Sequence, residues 1–472
     1  MKTFRYDLVI VGAGSGGYAA ARTARELGGT VALVDHGPLG GLCILRGCMP
    51  SKTLLATSDL LAEIGESGVL GIGTKTPKVD LKHVMSRKRE VIQGFADYRI
   101  EALNSFPIYE GAARFLSPAR LQVGDDIVLE AKSFVIGTGS VVAPPAVPGL
   151  AEMGFIDSDA ALDAASIPKS LIVLGGGYVA TELGQFFARL GAETSIVIRA
   201  PHLLSGEDSD VGEALMDCFR NEGIRVETGA RLSHVERHGA LKALHFFVNG
   251  EPRVIEAEEI FYALGRVPNV AGLDLEKAGV TYHPITGIEI GADIRTSNPN
   301  IFAVGDVTGE FPLVHVAIYQ GEIAARNAIL GTAEKADYSL QKTHTIFTDP
   351  QVAIVGETEK SLRKRDVPYE SGMYLFADHG KAISINKTKG FVKMLASAND
   401  GKILGAAIVG AHASDLIHEV IVAMHFGATV YDFVKIPHMH PTMAEILTYP
   451  AEEIATRLRL GSKAAKAAVA AM

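Results

Sequence analysis

Apolar and polar residues follow the same order at two places in the chain. Residues 6–35, YDLVIVGAGSGGYAAARTARELGGTVALVD, read as an apolar strand, a glycine-rich turn, a helix and a second strand that ends in an acid. Residues 170–199, SLIVLGGGYVATELGQFFARLGAETSIVIR, repeat this order but end in an arginine. Strands that alternate with helices in this way predict βαβ units in parallel sheets. The chain is therefore predicted to be an α/β protein with two Rossmann-like domains.

The first of the two turns has the spacing of a dinucleotide site. Gly12, Gly14 and Gly17 form GxGxxG, and Asp35 lies at the end of the next strand. Glycines at this spacing let backbone N–H groups approach a pyrophosphate at the positive end of the helix, while the acid can accept hydrogen bonds from a ribose. Because strand, helix and acid all accompany the glycines, we predict a dinucleotide here rather than an ordinary glycine-rich turn.

The second turn differs at the end of its last strand. Gly175, Gly177 and Ala180 occupy the glycine positions, and Arg199 replaces the acid that would suit NAD. A guanidinium at this place can hold the 2′-phosphate of NADP, although an ordinary exposed arginine is the alternative. Two dinucleotide folds predict two dinucleotides, and a nicotinamide carrier beside a tightly held flavin is the natural pair for passing on a hydride.

Composition narrows the class of partner. The 472-residue chain is 47% hydrophobic and has a formal net charge of −9. A nucleic acid or an anionic membrane needs a concentrated positive face, so neither is expected as a partner. The N-terminal apolar run is too short for a secretory signal, and no segment has about eighteen uninterrupted apolar residues. A cytoplasmic protein that acts on small molecules is expected.

Two of the three cysteines, Cys43 and Cys48, lie five positions apart in GGLCILRGCMPSKTLL. In a reducing compartment a close pair indicates redox or metal chemistry rather than a disulfide scaffold. Cys48 precedes a predicted helix that begins near Pro50, so the helix dipole and nearby Lys52 should lower its thiol pKa. Such a thiolate could exchange electrons with a flavin while the partner thiol attacks an external disulfide.

Thiol–disulfide exchange near neutral pH also needs a proton carrier. In KIPHMHPTMAEIL, His440 precedes Pro441, and Glu445 follows five residues after the histidine. A turn that enters a helix could let the carboxylate orient the imidazole and raise its basicity. A histidine in an apolar stretch is more often structural, so this segment by itself leaves both interpretations open.

Together and in this order, the motifs resemble the FAD-dependent pyridine nucleotide-disulfide oxidoreductases, the group that contains dihydrolipoamide dehydrogenase, glutathione reductase and mercuric reductase. GGLCILRGCMPSK resembles their redox-active disulfide motif, GGGYVATELG their nicotinamide-binding turn, IFAVGDV their flavin-holding strand and HMHPTMAE their C-terminal His-Glu motif. The expected domains are an FAD-binding domain whose first part is 1–150, an NAD(P)-binding domain at 151–270, a second, central part of the FAD-binding domain at 271–340, an α+β interface domain at 341–460, and a tail at 461–472.

The resemblance implies roles for the redox residues. Cys43 would be the interchange thiol that attacks substrate, and Cys48 the charge-transfer thiol against the flavin. Lys52 would lie beside the flavin N5, paired with Glu182 from the second Rossmann-like unit. In the family the histidine and glutamate of the last motif, here His440 and Glu445, reach the disulfide of the other subunit. The active enzyme would therefore be a homodimer with shared active sites.

The resemblance also implies the residues that hold FAD and either NADPH or NADH. Asp35 would bind the adenosine ribose and Asp306 the ribityl chain of FAD, while Tyr178 matches the tyrosine that covers the empty nicotinamide pocket of glutathione reductases. No metal site is expected. The full expected cofactor set is Gly12, Gly14, Ser15, Gly17, Asp35, Gly41, Lys52, Ala113, Gly139, Asp306, Gly175, Gly177, Tyr178, Val179, Ala180, Glu182, Arg199 and Gly265.

Several positions depart from the family pattern. Leu42 stands where a threonine usually precedes the first cysteine, and the loop ILRG places Leu45 and Arg46 beside the pair. Ser205 stands where the reductases have a second arginine, which weakens an NADP site. Mercuric reductases have an additional C-terminal cysteine pair, whereas no cysteine follows Cys218 here, which argues against mercury reduction.

These signatures favour a disulfide oxidoreductase similar to dihydrolipoamide dehydrogenase, and the alternative within the family is an NADPH-dependent reductase of a low-molecular-weight disulfide similar to glutathione reductase. A third possibility is a member that lost activity and serves as a binding subunit, against which the intact Cys-Cys, Lys-Glu and His-Glu sets argue. A different class of protein, a zinc-binding redox regulator, would use Cys43, Cys48, His438 and His440 as ligands. Against this alternative, a structural zinc site would leave the two predicted dinucleotide-binding units unexplained.

Overall fold

A seven-stranded sheet organises the N-terminal part of the computed structural model, which describes residues 1–75 and 77–470. The strand order is β3-β2-β1-β6-β5-β4, with β18 also paired to β6. The elements up to residue 142 are β1 (Lys2–Val11), α1 (Ser15–Glu26), β2 (Val31–Asp35), α2 (Gly41–Arg46), α3 (Cys48–Glu66), α4 (Leu81–Leu103), β3 (Ile108–Glu110), β4 (Ala113–Ser117), β5 (Arg120–Val123), β6 (Ile127–Ile136) and β7 (Ser140–Val142).

Parallel pairing brings several chain segments to one edge of this sheet. β1 is paired in parallel with β2 on one side and with β6 on the other, and its last four residues are buried. A wholly apolar strand end is expected where helices cover both faces of a parallel sheet. Because β18 also runs parallel to β6, the carboxyl ends of β1, β2, β6 and β18 meet at the edge where α1 begins.

The second Rossmann-like unit forms its own parallel sheet, in the order β10-β9-β8-β14, and a separate antiparallel meander, β11-β12-β13. This repeats the strand–turn–helix–strand order that the sequence predicts. Its elements are α5 (Leu150–Met153), α6 (Ser158–Leu162), β8 (Ser170–Leu174), α7 (Tyr178–Arg189), β9 (Glu193–Val197), α8 (Ser209–Asn221), β10 (Arg225–Glu227), β11 (Ala230–His238), β12 (Leu241–Val248), β13 (Glu251–Ala257) and β14 (Glu259–Tyr262).

The chain then returns to the first sheet. β15 pairs with β7, β18 joins β6, and α9 packs on α1, where a Cβ at Gly321 would lie only 2.3 Å from the carbonyl oxygen of Gly16. The elements of this segment are β15 (Arg266–Pro268), β16 (Tyr282–His283), β17 (Gly287–Ile288), β18 (Ile301–Ala303) and α9 (Val314–Leu330).

The C-terminal sheet is antiparallel, in the order β19-β20-β23-β22-β21, with helices packed against it. Its elements are β19 (Thr343–Ile346), β20 (Gln351–Gly356), α10 (Glu359–Lys364), β21 (Tyr369–Leu375), α11 (Gly380–Ser384), β22 (Phe391–Ser397), β23 (Ile403–Gly410), α12 (Ala413–His425), α13 (Val430–Phe433) and α14 (Thr448–Ala470). Because α14 is continuous to Ala470, it runs past residue 460, where the alanine-rich tail was expected to begin. Residues 471 and 472 of that tail lie outside the described residues.

The predicted fold class, two Rossmann-like units and an α+β C-terminal part, is confirmed by these sheets. Short 3₁₀ segments occur at Ser67–Leu70, Leu275–Ala278, Gly305–Thr308, Phe376–Asp378 and Ala444–Leu447. Over residues 1–75 and 77–470, no helix combines the length and apolar character that a membrane crossing requires.

A buried arginine joins three parts of the molecule, which we call layers: the first sheet with its helices, the second Rossmann-like unit, and the C-terminal part. The side chain of Arg189 at the end of α7 is 7% exposed and contacts Asp59 of α3, Glu222 after α8 and Asp349 after β19, at 2.8, 2.9 and 2.8 Å. These carboxylates belong to the first sheet's helices, the second unit and the C-terminal part. The layers that surround the site are therefore fixed to one another by charge as well as by apolar packing.

Candidate active site

A cavity of about 710 Å³ opens at the carboxyl edge of the first sheet. The cavity is lined by these predicted site residues: Gly12, Gly14, Ser15, Asp35, Gly41, Cys43, Cys48, Ala113, Gly139 and Asp306. Gly17 packs behind the turn, where a Cβ would lie 1.9 Å from the carbonyl oxygen of Gly12. Gly17 therefore lets α1 approach the end of β1 closely, and its predicted contact with the cofactor stays a prediction.

Two glycines hold the walls of this cavity together through backbone contacts. Gly12 has φ +102°, and a Cβ there would lie 2.3 Å from the carbonyl oxygen of Gly137. Gly41 has φ +77°, and a Cβ there would lie 2.7 Å from the Cα of Gly14. Only glycine fits both the left-handed backbone and the close approach. The loop that contains Cys43 therefore lies directly against the first glycine-rich turn.

Carboxylates mark two points along the cavity. Asp35 accepts hydrogen bonds from the backbone N–H groups of Ala13 (2.7 Å) and Gly37 (2.8 Å), which fix it at the tip of β2. Asp306, after β18, accepts a 2.7 Å hydrogen bond from the Ser140 hydroxyl, and the guanidinium of Arg266 donates to that hydroxyl at 2.9 Å. Both acids are oriented before any ligand binds.

These features fit FAD. A glycine cradle that a Cβ would fill, an acid at the end of β2 and a second acid beside β18 provide what a pyrophosphate, a ribose and a ribityl chain need. The turn around Gly12, with Asp35 and Asp306, would hold the cofactor. Cys48 lines the same cavity. When bound, FAD supplies the two-electron exchange between a nicotinamide and a thiol pair.

The cysteine pair lies at the junction of two helices. Cys43 is half-buried in α2, and Cys48 is the first residue of α3. The Cys43 thiol donates a hydrogen bond to the Cys48 sulfur, and this bond, helped by Lys52, lowers the pKa of Cys48 to about 6 although burial opposes it. The same bond, with burial, raises the pKa of Cys43 far above its usual range. At neutral pH the reduced pair is thus a thiolate at Cys48 and a thiol at Cys43.

Lys52 is held by the second Rossmann-like unit. Its Nζ lies 2.7 and 3.0 Å from the carboxylate oxygens of Glu182, a buried residue of α7, and 4.7 Å from the centre of the Phe347 ring. Glu182 also accepts a 2.9 Å hydrogen bond from the backbone N–H of Phe347. The ammonium one turn after Cys48 is therefore positioned by groups from the second Rossmann-like unit and the C-terminal part, and the predicted Lys52–Glu182 pair is present.

The second glycine-rich turn has the same construction as the first. A Cβ at Gly175 would lie 2.4 Å from the carbonyl oxygen of Ala263, whereas Gly177, just before α7, has open space around it. Val179 is half-exposed and Ala180 is buried, so the turn presents its N-terminal part to solvent. Gly265 follows β14 and accepts a 3.1 Å hydrogen bond from the N–H of Ala143, which places it between the two units.

Tyr178, the first residue of α7, is restrained by two side chains. Its hydroxyl donates to Glu207 at 3.1 Å, and its ring stacks on His344 with the centroids 5.2 Å apart. His344 reaches the same oxygen of Glu207 at 3.0 Å. Burial and the nearby Glu207 carboxylate raise the pKa of Tyr178, so its hydroxyl remains a hydrogen-bond donor. Any movement of this ring requires both contacts to break.

Arg199 lies exposed two residues beyond β9. Across residues 1–75 and 77–460 no hydrogen bond or ion pair of its guanidinium is present, so it remains available to a ligand. Ser205, at the position where an arginine would be expected in a reductase, accepts a 3.1 Å hydrogen bond through its carbonyl from the Nζ of Lys360. A second cation from α10 thus lies beside that position.

The residues of the His-Glu motif form a hydrogen-bonded pair in the C-terminal part of the chain. His440 Nδ1 lies 2.9 Å from Glu445, whose other oxygen accepts a 2.8 Å hydrogen bond from the N–H of Thr442. The Thr442 bond is the main cause that lowers the pKa of Glu445, so the carboxylate stays charged. The His440 side chain is 81% exposed, which leaves Nε2 open to solvent or to another subunit.

The zinc interpretation does not agree with this geometry. His438 Nε2 lies 2.6 Å from Glu419 and its Nδ1 lies 2.9 Å from the carbonyl oxygen of Ile436, so both ring nitrogens have partners. Among residues 1–75 and 77–460, neither histidine joins Cys43 and Cys48 in a cluster with metal-ligand spacing.

Comparison with known proteins identifies the family. Residues 6–321 match the model of the pyridine nucleotide-disulphide oxidoreductases, and residues 343–451 match the dimerisation domain of these enzymes. The chain belongs to this family. It is therefore an oxidoreductase that acts on sulfur groups with FAD and NAD(P)H, and the predicted enzyme class and cofactors are confirmed.

Members of the family with different activities in their names are similar to the chain. A mercuric reductase of Bacillus cereus is 33% identical over 94% of this chain and 70% of its own length, and a dihydrolipoyl dehydrogenase of Geobacillus stearothermophilus is 34% identical over 94% and 95%. Two structures of the HOCl-induced flavoprotein disulfide reductase RclA of Escherichia coli are similar at 25% identity over 95% of this chain and 99% of theirs, with TM-scores of 0.84 for the Cu(II) complex and 0.83 for the other structure.

Some residues of this family site have no signal in the sequence pattern. Phe347 contacts Lys52, and His344 contacts Tyr178, from segments more than a hundred positions further along the chain. Glu207, 29 positions from Tyr178, belongs to no motif that marks it. Arg266 is different, because it directly follows the predicted Gly265 and could have been proposed as a partner of Asp306. The individual roles of the predicted site residues remain predictions.

The pKa of Cys48 leads to a first testable result. In the reduced holoenzyme, alkylation of Cys48 by iodoacetamide, followed residue by residue with mass spectrometry, should rise with pH around a midpoint of about 6. Below that pH the thiolate is protonated and unreactive, and above it the thiolate is fully present. Cys43→Ala removes the main hydrogen bond to the sulfur and should move the midpoint upward.

Cys218→Ser is the matched control, because burial raises the pKa of Cys218 to about 11 and this thiol should not react in the same range. A midpoint near the ordinary cysteine value in the unmodified protein would contradict the assigned thiolate.

Proposed function

We propose that the protein is a homodimeric enzyme similar to dihydrolipoamide dehydrogenase, which moves electrons from a dithiol to NAD(P)+ through FAD and the Cys43–Cys48 pair. The observation that supports this most is that Cys43 and Cys48 line a cavity that fits FAD, with the Lys52–Glu182 ion pair one helical turn from Cys48. The dihydrolipoyl dehydrogenase relative, which aligns along nearly its whole length, supports the choice of substrate class.

The asymmetry of the pair supports a defined order of bond changes. A thiolate of the substrate attacks the Cys43 sulfur of the oxidised pair, the bond between Cys43 and Cys48 breaks, and Cys48 leaves as a thiolate. The second substrate thiol then attacks the substrate sulfur of the mixed disulfide, so the substrate closes its own disulfide and Cys43 leaves. Two electrons have then passed from the substrate to the pair.

The leaving Cys43 needs a proton because its pKa is far above neutral. An imidazole whose Nδ1 is fixed by a carboxylate can take the proton of the second substrate thiol on Nε2 and pass it to the Cys43 sulfur. In this chain the fixed imidazole is His440, which is exposed and is not among the described residues that line the cavity with Cys43 and Cys48. We therefore assign the proton transfer to the partner subunit's His440, across an interface made by the dimerisation domain.

Lys52 and Glu182 act on the FAD side of the pair. The ammonium lies one helical turn from Cys48 and favours the thiolate, while the buried carboxylate keeps the ammonium in place. The restrained Tyr178 would cover the nicotinamide pocket until a nicotinamide displaces it. Because the ring would have to leave both Glu207 and His344, this cover is expected to exclude water when the pocket is empty.

A second candidate function is an NADPH-dependent reductase of a low-molecular-weight disulfide. The free guanidinium of Arg199 and the Lys360 ammonium beside Ser205 favour a 2′-phosphate, and Tyr178 matches the reductases. Mercury reduction has less support, since the third and last cysteine, Cys218, lies in the second Rossmann-like unit with a raised pKa.

The two candidates differ in an anaerobic stopped-flow experiment. The oxidised holoenzyme is reduced with NADH or with NADPH, and then lipoamide or glutathione disulfide is added as the acceptor. We expect lipoamide to reoxidise the reduced enzyme rapidly and glutathione disulfide to react slowly. We also expect Arg199→Glu to reduce the NADPH-to-NADH rate ratio by about tenfold or more, since it replaces an attraction for the phosphate with repulsion.

Arg237→Glu is the matched control, an exposed arginine of the same unit that lies outside the nicotinamide turn. Rapid reoxidation by glutathione disulfide together with inertness toward lipoamide would replace the first proposal with the second. An unchanged coenzyme ratio in Arg199→Glu would refute the phosphate-binding role.

A further inference from the structure

Three potential metal ligands converge on the outer face of the meander β11-β12-β13. His234 and Glu236 lie two positions apart on β11, and the register places His234 directly opposite His245 of β12. One ligand atom of each of the three side chains lies within 4.8 Å of the others. Residues at i and i+2 of one strand and at the opposite position of its neighbour share one face of a sheet.

The opposite face of the meander fixes this arrangement. Val235, Leu244 and Ile255, which alternate with the triad or lie beside it, are buried in the core of the second Rossmann-like unit. The N–H of Val235 also donates a 2.8 Å hydrogen bond to the carbonyl oxygen of Pro148. The triad is thus presented by a paired and anchored sheet rather than by a loop, so its geometry is already set when a ligand arrives.

The side chains themselves are in an arrangement that suits a cation. The rings of His234 and His245 are nearly parallel, at 6°, with centroids 4.2 Å apart, and His245 Nε2 lies 2.9 Å from Glu236 Oε1. Ser233 Oγ lies 3.1 Å from His234 Nδ1, which engages that nitrogen and leaves Nε2 for a ligand.

We propose that His234, Glu236 and His245 form a site for one borderline divalent transition-metal ion of the zinc and copper class. Two imidazole nitrogens and one carboxylate oxygen are the donor set that such ions prefer, and water would complete the coordination. Hard cations such as Mg²⁺ prefer oxygen ligands and are not expected to bind here. None of the three side chains lines the cavity that fits FAD, so the site is separate from the redox centre.

The test uses the oxidised holoenzyme, in which the Cys43–Cys48 pair is closed and cannot bind a metal as thiolates. Calorimetric titration with Zn²⁺ should show one equivalent, and His245→Ala should weaken its binding by about tenfold or more because a direct ligand is lost. Electron paramagnetic resonance of one bound Cu²⁺ should show coupling to two imidazole nitrogens, reduced to one in His245→Ala. Mg²⁺ at the same concentration should give no heat of binding.

His238→Ala is the matched control. His238 lies on the same face of β11, but it pairs with Glu256 of β13 and is not part of the triad. This variant should still bind one equivalent of Zn²⁺. The Cys43→Ser, Cys48→Ser double variant should do the same. NAD(P)H oxidation by each meander variant serves as the check of folding, since the triad lies outside the redox machinery.

Equal Zn²⁺ affinity in the unmodified protein and in His245→Ala, or a Cu²⁺ spectrum without nitrogen coupling, would overturn the proposal. So would loss of the equivalent in the cysteine double variant. These outcomes are independent of the choice between lipoamide and other disulfides.

Discussion

Cys48→Ser is expected to abolish disulfide turnover, with a loss of at least about 10³-fold, while FAD stays bound and is still reduced by a nicotinamide. A serine cannot form the disulfide with Cys43, so the protein has no group that accepts electrons from a substrate dithiol. The thiolate that Lys52 and the Cys43 hydrogen bond stabilise is also lost. The long-wavelength absorption that a thiolate gives beside FAD should therefore be absent from anaerobic spectra of the reduced variant.

Cys43→Ala separates the two predicted roles. This variant should be equally inactive toward disulfides but should keep the long-wavelength absorption, because Cys48 remains a thiol that can ionise. Its absorption should be lost at higher pH than in the parent, since the hydrogen bond that most lowers the pKa of Cys48 is gone. Cys218→Ser should match the unmodified protein. If Cys48→Ser kept the long-wavelength absorption, the assignment of Cys48 as the thiolate beside FAD would be refuted.

His440→Ala is expected to slow dithiol–disulfide exchange by about 10²-fold to 10⁴-fold, with little effect on reduction by a nicotinamide. The reason is that Cys43 leaves as a thiolate whose pKa is far above neutral and must receive a proton. The stronger test is a hybrid dimer, made by co-expression of Cys43→Ser and His440→Ala chains with different affinity tags. If each site combines residues of two subunits, one of its two sites has both residues intact and the other has neither.

The hybrid should therefore show about half the activity of the unmodified dimer, although each parent homodimer is nearly inactive. His438→Ala provides the control, since His438 is bound to Glu419 within its own chain and should not affect exchange to a similar extent. An inactive hybrid that is correctly assembled and binds FAD would mean that each site uses the histidine of its own chain.

Local features of the fold and site could be predicted because sequence spacing determines them. The positive φ of Gly12, the close packing of Gly17 and the position of Asp35 follow from one strand–turn–helix–strand unit. The lowered pKa of Cys48 was also predicted, from a helix start and a nearby lysine. Its largest cause, however, is the hydrogen bond from Cys43, which depends on a distance between two side chains that no spacing gives.

Contacts between distant segments could not be predicted in the same way. Glu182 meets the backbone of Phe347 across 165 positions, and Glu207 meets His344 across 137. Such pairs depend on how distant parts of the chain pack against one another. The periodicity of a single sequence predicts local elements but not these contacts. The metal-ligand triad shows the same limit, because His234 and His245 become neighbours only once the register of β11 and β12 is known.

The shared guanidinium of Arg189 has a consequence for how the protein loses its structure. Its carboxylate partners come from three layers, so detaching the layer of Asp59 or the layer of Asp349 removes an ion-pair partner from a guanidinium that is poorly solvated. Opening of a single layer is therefore penalised by the other two. The chain should unfold cooperatively rather than layer by layer, and the shape of the cavity should persist up to that transition.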